Sequence, residues 1–298
     1  MIVRRDDRVL VQGITGRQGT FWTERMIECG TRVVGGVSPK RAGGTCCGVP
    51  VFASAEHAAA GVGFDVAVMF IPPAGALAAA QEAIKAGAKL LVVLTEHIPA
   101  QDTMALLSLA RRRGTRVVGP NTAGLVTPGE GFVGIMPAFN PRVFRPGKVG
   151  VVSRSGSLGT LVCLELTRAE LGQSAFVGIG GDPLLGTTTA EAVDALAADP
   201  RTEAIVVVGE IGGAMEEAAA AGLRACGKPA AAFIAGRVAP PNTRMGHAGA
   251  IVTGEAGSYR SKRAALEAAG VAVCDTPGEV PGALLAAMAP RPRAFTGP

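Results

Sequence analysis

The sequence predicts an α/β protein made of two successive doubly wound parallel sheets, and three observations carry that prediction. Apolar β-type runs alternate with Ala-rich helical stretches along most of the 298 residues, which is the pattern of βαβ units. The length suits two domains of ordinary size, and 48% hydrophobic against 18% charged residues supplies each with a core. The alternation breaks once, between Asn121 and Lys148, where Pro and Gly dominate (TPGEGFVGIMPAFNPRVFRPGK). A stretch so long and irregular reads as a linker rather than an ordinary connection. The expected organisation is a first domain over 1–122, a linker over 123–147 and a second domain over 148–298.

In the first half the expected strands are Arg8 to Val11, Arg32 to Gly36, Val66 to Ile71, Leu90 to Thr95 and Arg116 to Gly119. The helices between them include Gln18 to Cys29, Ala74 to Ala86 and Gln101 to Arg113. In the second half the strands are Lys148 to Val152, Ala175 to Gly178, Ala204 to Gly209, Ala230 to Ile234 and Val271 to Cys274. Ligands of such sheets sit at the carboxyl ends of the strands, so the residues just after each strand are the ones to inspect.

Composition narrows the chemistry. The 42 glycines are about twice the usual share and show no collagen period, so they belong to turns, close backbone approaches and ligand cradles. No apolar run reaches the roughly 18 residues of a spanning helix, and the N-terminus (MIVRRDDRVLVQG) has no signal-peptide core, so a cytoplasmic protein is expected. Six cysteines without C-x-x-C spacing argue against a disulfide scaffold or a zinc site, and no metal is expected; they read as buried or incidental thiols. The net charge of +5 favours anionic ligands, but with 4% aromatic residues there is little to stack on bases. Phosphorylated small molecules fit better than nucleic acid.

The first phosphate-type signal is Gly13-Ile-Thr-Gly16-Arg-Gln-Gly19, directly after the strand RVLVQ and opening a helix. Glycines let the backbone approach a pyrophosphate, and the helix N-terminus offers free N–H groups; a tight strand-to-helix turn is the plainer alternative. An NAD site would carry an acidic residue after the second strand to hold the ribose hydroxyl. Here that segment reads RVVGGVSPKRAGG, with Lys40 and Arg41 and no acid, so a ribose bearing an extra phosphate, as in coenzyme A or NADP, is the better guest.

Three further signals fall in the second half. Ser153-Arg-Ser155-Gly156-Ser157 follows a strand and opens a helix, which suits a phosphate or equally a plain Ser cap. Glu210 ends the apolar strand AIVVV before Gly212 and Gly213, facing the mouth of the sheet or capping the next helix. His247, in RMGHAGAI, is flanked by small residues that leave its imidazole unhindered, unlike His57 and His97. An imidazole can attack a phosphoryl group, and a carboxylate such as Glu210 could fix its tautomer; a structural His remains the alternative.

Taken together, GITGRQGTF, VVGGVSP, LTEHIP, GPN, GIMP, GKVGVVSRSG, VGIGGDP, TEAIVVVGEIGG and RMGHAGAI, in this order from about Arg8 to Met288, resemble the α subunit of succinyl-CoA synthetase and its malate–CoA ligase-like relatives. The resemblance implies an N-terminal Rossmann-like CoA-binding domain and a flavodoxin-like ligase domain carrying a phosphohistidine. It implies an NDP-forming acid–thiol ligase of the tricarboxylic acid cycle type, acting on a small di- or hydroxy-carboxylic acid. It further implies activity only with a β subunit of ATP-grasp fold that binds ATP or GTP with Mg2+, as αβ or α2β2. The sequence itself contains no G-x-x-x-x-G-K-[ST] loop. By resemblance Thr15, Gly16, Arg17 and Gln18 cradle CoA, Arg41 stands where the family has a CoA-contacting Lys, and Leu94, Thr95 and Glu96 approach the adenine or pantetheine. His247 falls on the phosphorylated histidine, Glu210 on its supporting carboxylate, and Ser153, Ser155 and Gly156 on the phosphate site. The implied cycle runs through an acyl phosphate and the phosphohistidine; the order of transfers does not follow from sequence.

Departures from the family pattern bear on the acid. SRSGSLGTL places Thr160 and Leu161 where a substrate-contacting Tyr and a Glu are usual, while Gly159 matches the malate–CoA ligase branch. Thr122 and Ala123 replace a Cys and a Pro near the CoA thiol, and the PAFNPRVFRPG connection is longer. Two other readings stay in view: a CoA-sensing homologue that has lost turnover, and an NADP-binding Rossmann protein, which leaves His247 and Glu210 unexplained.

Overall fold

The strand β1 (Val9–Gln12) is buried throughout and apolar but for Gln12, and the helix after it, α1 (Arg17–Glu28), returns the chain to lay β2 (Val33–Val37) parallel beside it. The computed structural model describes residues 1–239, 246–252 and 256–289. After β2 comes a short hairpin, β3 (Thr45–Cys46) and β4 (Val49–Phe52), then α2 (Ala55–Gly61). The chain continues through β5 (Val66–Met69), α3 (Pro73–Lys85), β6 (Leu90–Val93), α4 (Ala100–Arg113) and β7 (Arg116–Val118). The sheet order is β3-β4-β2-β1-β5-β6-β7. Without the antiparallel β3 the six parallel strands stand in the order 3-2-1-4-5-6 of Rossmann sheets, with the switch point between β1 and β5.

The second sheet has the order β14 (Ala272–Cys274), β13 (Ala230–Ala235), β12 (Ala204–Glu210), β10 (Pro146–Ser153), β11 (Gln173–Gly178), β8 (Gly124–Thr127), β9 (Gly131–Gly134). Its parallel part comprises β10 (Pro146–Ser153), α5 (Gly156–Arg168), β11 (Gln173–Gly178), α6 (Thr189–Ala198), β12 (Ala204–Glu210), α7 (Met215–Cys226), β13 (Ala230–Ala235), α8 (Tyr259–Ala268) and β14 (Ala272–Cys274). A last helix, α9 (Val280–Met288), packs back on β13 and α5. The five parallel strands follow the flavodoxin order 2-1-3-4-5, with the switch point between β10 and β12.

The stretch 123–147, read from sequence as a linker, is instead partly sheet. It forms β8 (Gly124–Thr127) and β9 (Gly131–Gly134), and β8 pairs antiparallel with β11. The glycines that signalled a loop are there because the two strands cross too closely for side chains. A Cβ at Gly124 would stand 2.1 Å from the Val133 carbonyl oxygen, and one at Gly134 2.3 Å from that of Ala123. The apolar Leu125, Val126, Phe132 and Val133 between them are buried.

This hairpin also joins the two units. Thr31 Oγ1 donates to the Phe132 carbonyl (2.7 Å) and accepts from the Phe132 N–H (2.9 Å), while the Trp22 and Phe132 rings meet edge to face. Side chains of both sheets share one buried apolar cluster, so the carboxyl edges of the two sheets hold a fixed relation to each other.

Candidate active site

At the carboxyl edge of the first sheet the chain leaves β1 through Gly13–Gly19. The turn has no room for side chains at either end: a Cβ at Gly13 would lie 2.4 Å from the Phe70 carbonyl oxygen, and one at Gly19 2.2 Å from that of Gly13. Close approach is thus what these glycines provide, and it brings the N-terminus of α1 to the switch point. No acidic residue occupies the first turn of α1, so its free N–H groups and positive dipole end are uncompensated.

The other first-sheet candidates gather on the same edge. Arg17 and Gln18 are exposed, and Gln18 Oε1 accepts from the Trp22 indole N–H at 3.0 Å. The Thr15 and Ser38 hydroxyls meet at 2.8 Å, tying the turn to the end of β2, where Arg41 lies exposed in a short 3-10 turn. Leu94, Thr95 and Glu96 follow β6; Thr95 Oγ1 donates to the Ile71 carbonyl (2.7 Å) and Glu96 is exposed. A glycine cradle at a helix N-terminus, with two exposed guanidinium groups beside it, fits a polyphosphorylated ligand.

In the second sheet Ser153 ends β10, Ser155 is the cap of α5 and Gly156 is its first residue. Ser155 Oγ accepts from the Leu158 N–H (3.3 Å), so this serine does cap α5, and Ser153 Oγ donates to the Ser155 carbonyl (2.6 Å). Glu210 ends β12, across the switch point from β10. His247 Nδ1 lies 2.8 Å from Glu210 Oε2. A cleft of about 320 Å³ brings together Ser155, Ser157, Glu210, Gly246, His247 and Ala250. Hydroxyls, a helix N-terminus, an imidazole and its carboxylate therefore share one space.

With the buried Glu210 carboxylate beside Nδ1, the neutral ring is expected to carry its proton on Nδ1 and its lone pair on Nε2. The hydrogen bond to Glu210 raises the His247 pKa above its ordinary value; burial and Arg154 oppose the shift, and Glu96 reinforces it across the cleft.

Behind this pair stands a buried ionic network. Arg154 Nη2 forms an ion pair with Glu210 Oε1 at 3.3 Å, and Arg154 Nη1 donates to the Gly212 carbonyl at 2.8 Å. The fully buried Lys262 donates to the Glu210 carbonyl (2.8 Å), the Gly212 carbonyl (3.0 Å) and the buried Glu216 carboxylate. Glu216 Oε1 in turn accepts from the Glu210 N–H at 3.3 Å. Two cations and two carboxylates thus fix the end of β12. Sequence inspection passed over Arg154, Glu216 and Lys262. The first two at least sit inside the SRS and GGAMEE turns, whereas Lys262 on α8 shows no local signal.

The edges of the two sheets meet over His247. The Asn121 N–H donates to the Thr95 carbonyl (3.0 Å), and Asn121 Nδ2 donates to Asp182 Oδ1 (3.0 Å). Burial first, and then the charge of Glu96, hold the Asp182 carboxyl above its usual range against the bond from Asn121. A Cβ at Gly181 would stand 2.4 Å from the His247 ring. We therefore expect Gly181→Ala to push the ring off Glu210. An NMR titration checks this: the His247 pKa should fall toward its ordinary value, and an unchanged titration would show that the ring has room to spare.

Thr160 is not among the residues lining the cleft; it lies one turn into α5, its hydroxyl donating to the Gly156 carbonyl at 2.8 Å. Thr122 is buried between the units, donating to the Gly178 carbonyl and accepting from the Gly124 N–H. Arg244 and Met245 lie outside the described residues. Among the described residues no group of three metal-ligating side chains occurs, and no helix is long and apolar enough to cross a membrane.

The model of the CoA binding domain matches residues 4–97, and that of the CoA-ligase domain residues 152–272. The chain is 46% identical to the α subunit of an ADP-forming succinate–CoA ligase of Methanothermobacter thermautotrophicus, over 94% of each chain. It belongs to the succinate–CoA ligase α-subunit family. It is 43% identical to the malate–CoA ligase α subunit of Methylorubrum extorquens, over 91% of this chain and 92% of that one. An ATP citrate lyase of Methanosaeta concilii, solved with (3S)-citryl-CoA, superposes with a TM-score of 0.87 at 24% identity, over 96% of this chain. The chain spans half the length of that protein, and the likeness concerns the fold. As an α subunit of this family the chain is the CoA-binding part of an NDP-forming acid–thiol ligase that works with a β subunit.

Proposed function

We propose that the chain joins CoA to a small di- or hydroxy-carboxylic acid through a phosphohistidine at His247. The observation that carries this reading is the 2.8 Å contact of His247 Nδ1 with buried Glu210, in a cleft shared with the Ser155 and Ser157 hydroxyls and the start of α5. Glu210 holds Nε2 in its nucleophilic form and stabilises the cation that develops as Nε2 bonds to phosphorus. Ser153, Ser155 and Gly156 shape the turn whose N–H groups and hydroxyls take the phosphoryl oxygens. The phosphoryl group passes between a nucleotide and Nε2, and between Nε2 and the acid's carboxylate oxygen; the CoA thiol then takes the acyl group and phosphate leaves. The chain supplies positioning and charge, as phosphoryl transfer requires.

Thr15, Gly16, Arg17, Gln18 and Arg41 are proposed to hold the CoA phosphates, with Leu94, Thr95 and Glu96 on the path toward His247. The Asn121 bonds to the Thr95 carbonyl and to Asp182 tie this segment to the loop that carries Gly181 against the His247 ring, which supports that path. Arg41 offers a planar fork where the family pattern has a Lys point charge. The nucleotide and its Mg2+ are assigned to a β subunit of ATP-grasp fold, in an αβ or α2β2 assembly. Thr160 stands where the family pattern has a substrate-contacting Tyr, but its hydroxyl bonds the Gly156 carbonyl outside the cleft lining, so the acid is left as one of the succinate or malate type.

A thermal-shift titration tests the ligand. A compound at about a hundred times its dissociation constant stabilises the folded chain by about 2.7 kcal/mol. CoA should raise the midpoint and NADPH should not; the opposite result would make the first unit a dinucleotide site. Thioester formation with succinate, malate, citrate and branched dicarboxylates, assayed with the β subunit, then identifies the acid.

A further inference from the structure

A second grouping of reactive side chains lies away from the His247 cleft, on the β3–β4 hairpin. Cys46 and Cys47 place their sulfurs 3.8 Å apart. Cys46 Sγ donates to the Ile14 carbonyl at 3.6 Å and stands 3.8 Å from Thr20 Oγ1, while Cys47 Sγ donates to the Thr20 carbonyl at 3.6 Å. Ile14 belongs to the Gly13–Gly19 turn and Thr20 to the start of α1. Both residues are partly exposed, so the thiol pair lies near the surface while it braces the turn.

The backbone supplies an independent observation. Cys46 pairs with Val49 across a two-residue turn, Cys47-Gly48, and both turn residues have positive φ, 53° and 77°. Type I′ turns demand such values and favour Asn-Gly. A cysteine at the first of these positions goes against backbone preference, and what it gains is a second sulfur beside that of Cys46.

We propose that Cys46 and Cys47 form a two-thiol site for a soft thiophile of the trivalent-arsenic class, and that its occupation loosens the coenzyme A turn. The second half rests on reading Gly13–Gly19 as that turn. The chemistry balances without an oxidant. An organoarsenic(III) oxide forms two As–S bonds as its As–O bonds break, the two thiol protons leave with the oxide oxygen as water, and arsenic stays trivalent. Burial and the neighbouring Cys46 push the Cys47 thiol up to about 12, so it holds its proton, and a reagent that removes that proton as water suits it. With both sulfurs bridged, the S–H bonds to the Ile14 and Thr20 carbonyls are lost. Of the other cysteines Cys163 and Cys274 are buried, and Cys29 and Cys226 are partly exposed single thiols.

The test treats the full chain with phenylarsine oxide and reads intact mass and CoA affinity by calorimetry. One equivalent should bind, withstand excess 2-mercaptoethanol and leave with 2,3-dimercaptopropanol, and CoA affinity should fall about tenfold, the scale of one or two lost hydrogen bonds. Cys46→Ser should lose the adduct that resists monothiol. Cys47→Asn, which suits the turn, should keep or raise the unfolding midpoint, lose the same adduct, and show a CoA affinity that no longer responds to the arsenical. A monothiol-resistant adduct that persists in Cys46→Ser, or an adduct that leaves CoA affinity within twofold, would overturn the proposal. Failure of the untreated chain to bind CoA would overturn the reading of the turn and the second half with it, while mass alone still decides whether the dithiol site exists.

Discussion

Replacing Lys262 by methionine should lower stability by about 3–5 kcal/mol, the scale seen when one partner of a buried ion pair is removed. The ammonium is fully buried and donates to the Glu210 and Gly212 carbonyls and to the Glu216 carboxylate. Methionine fills the same shape but takes the ammonium away from the Glu210 carbonyl and Glu216 Oε2; Arg154 still donates to the Gly212 carbonyl and, 3.8 Å from Glu216 Oε1, is the one cation among the described residues still near that carboxylate. For a chain of this size the unfolding midpoint should drop by roughly 10 °C. Adding Glu216→Gln should recover part of the loss, because the orphaned charge is what costs most. A single variant within about 1 kcal/mol of the parent would mean that the network tolerates an uncompensated carboxylate and does not brace the end of β12.

The second large effect concerns the charge state of His247. The bond to Glu210 raises its pKa, so the imidazole stays cationic to a higher pH than a free one. Only the neutral ring has an Nε2 lone pair, so phosphoryl transfer to the enzyme should speed up as pH rises through that raised pKa and then level off. In Glu210→Gln the inflection should move down toward the ordinary histidine value, since the charge that raised it is gone. The plateau should nevertheless fall by on the order of 10²–10³-fold, because the developing imidazolium loses its counter-charge and its fixed tautomer. Rapid-quench measurement of enzyme-bound phosphate against pH separates the two effects. An inflection that stays in place in Glu210→Gln would remove Glu210 from the titration of His247.

What could be read in advance follows how local each feature is. The Gly13–Gly19 turn, the serine turn before α5 and Glu210 at the end of β12 each sit at a strand end, where sequence pattern and position coincide; sequence placed them on the edges they occupy. The hairpin β8–β9 escaped because its glycines serve a close strand crossing, and in sequence that is indistinguishable from a loop. The hairpin β3–β4 escaped because its strands, Thr45–Cys46 and Val49–Phe52, are too short for any periodicity to register. Lys262 lies 52 residues from Glu210, and Asn121 lies 61 residues from Asp182. Contacts of that separation are made by the tertiary fold, and no spacing rule announces them.

A phosphoryl group on the proposed His247 site would be recognised by its chemistry. The chain, assembled with its β subunit, is incubated with γ-labelled ATP or GTP and Mg2+, and the labelled residue is mapped. The expected result is an acid-labile, base-stable phosphate on His247, discharged by CoA together with the accepted acid and absent from His247→Ala. No label on the α chain, or label that survives His247→Ala, would contradict it.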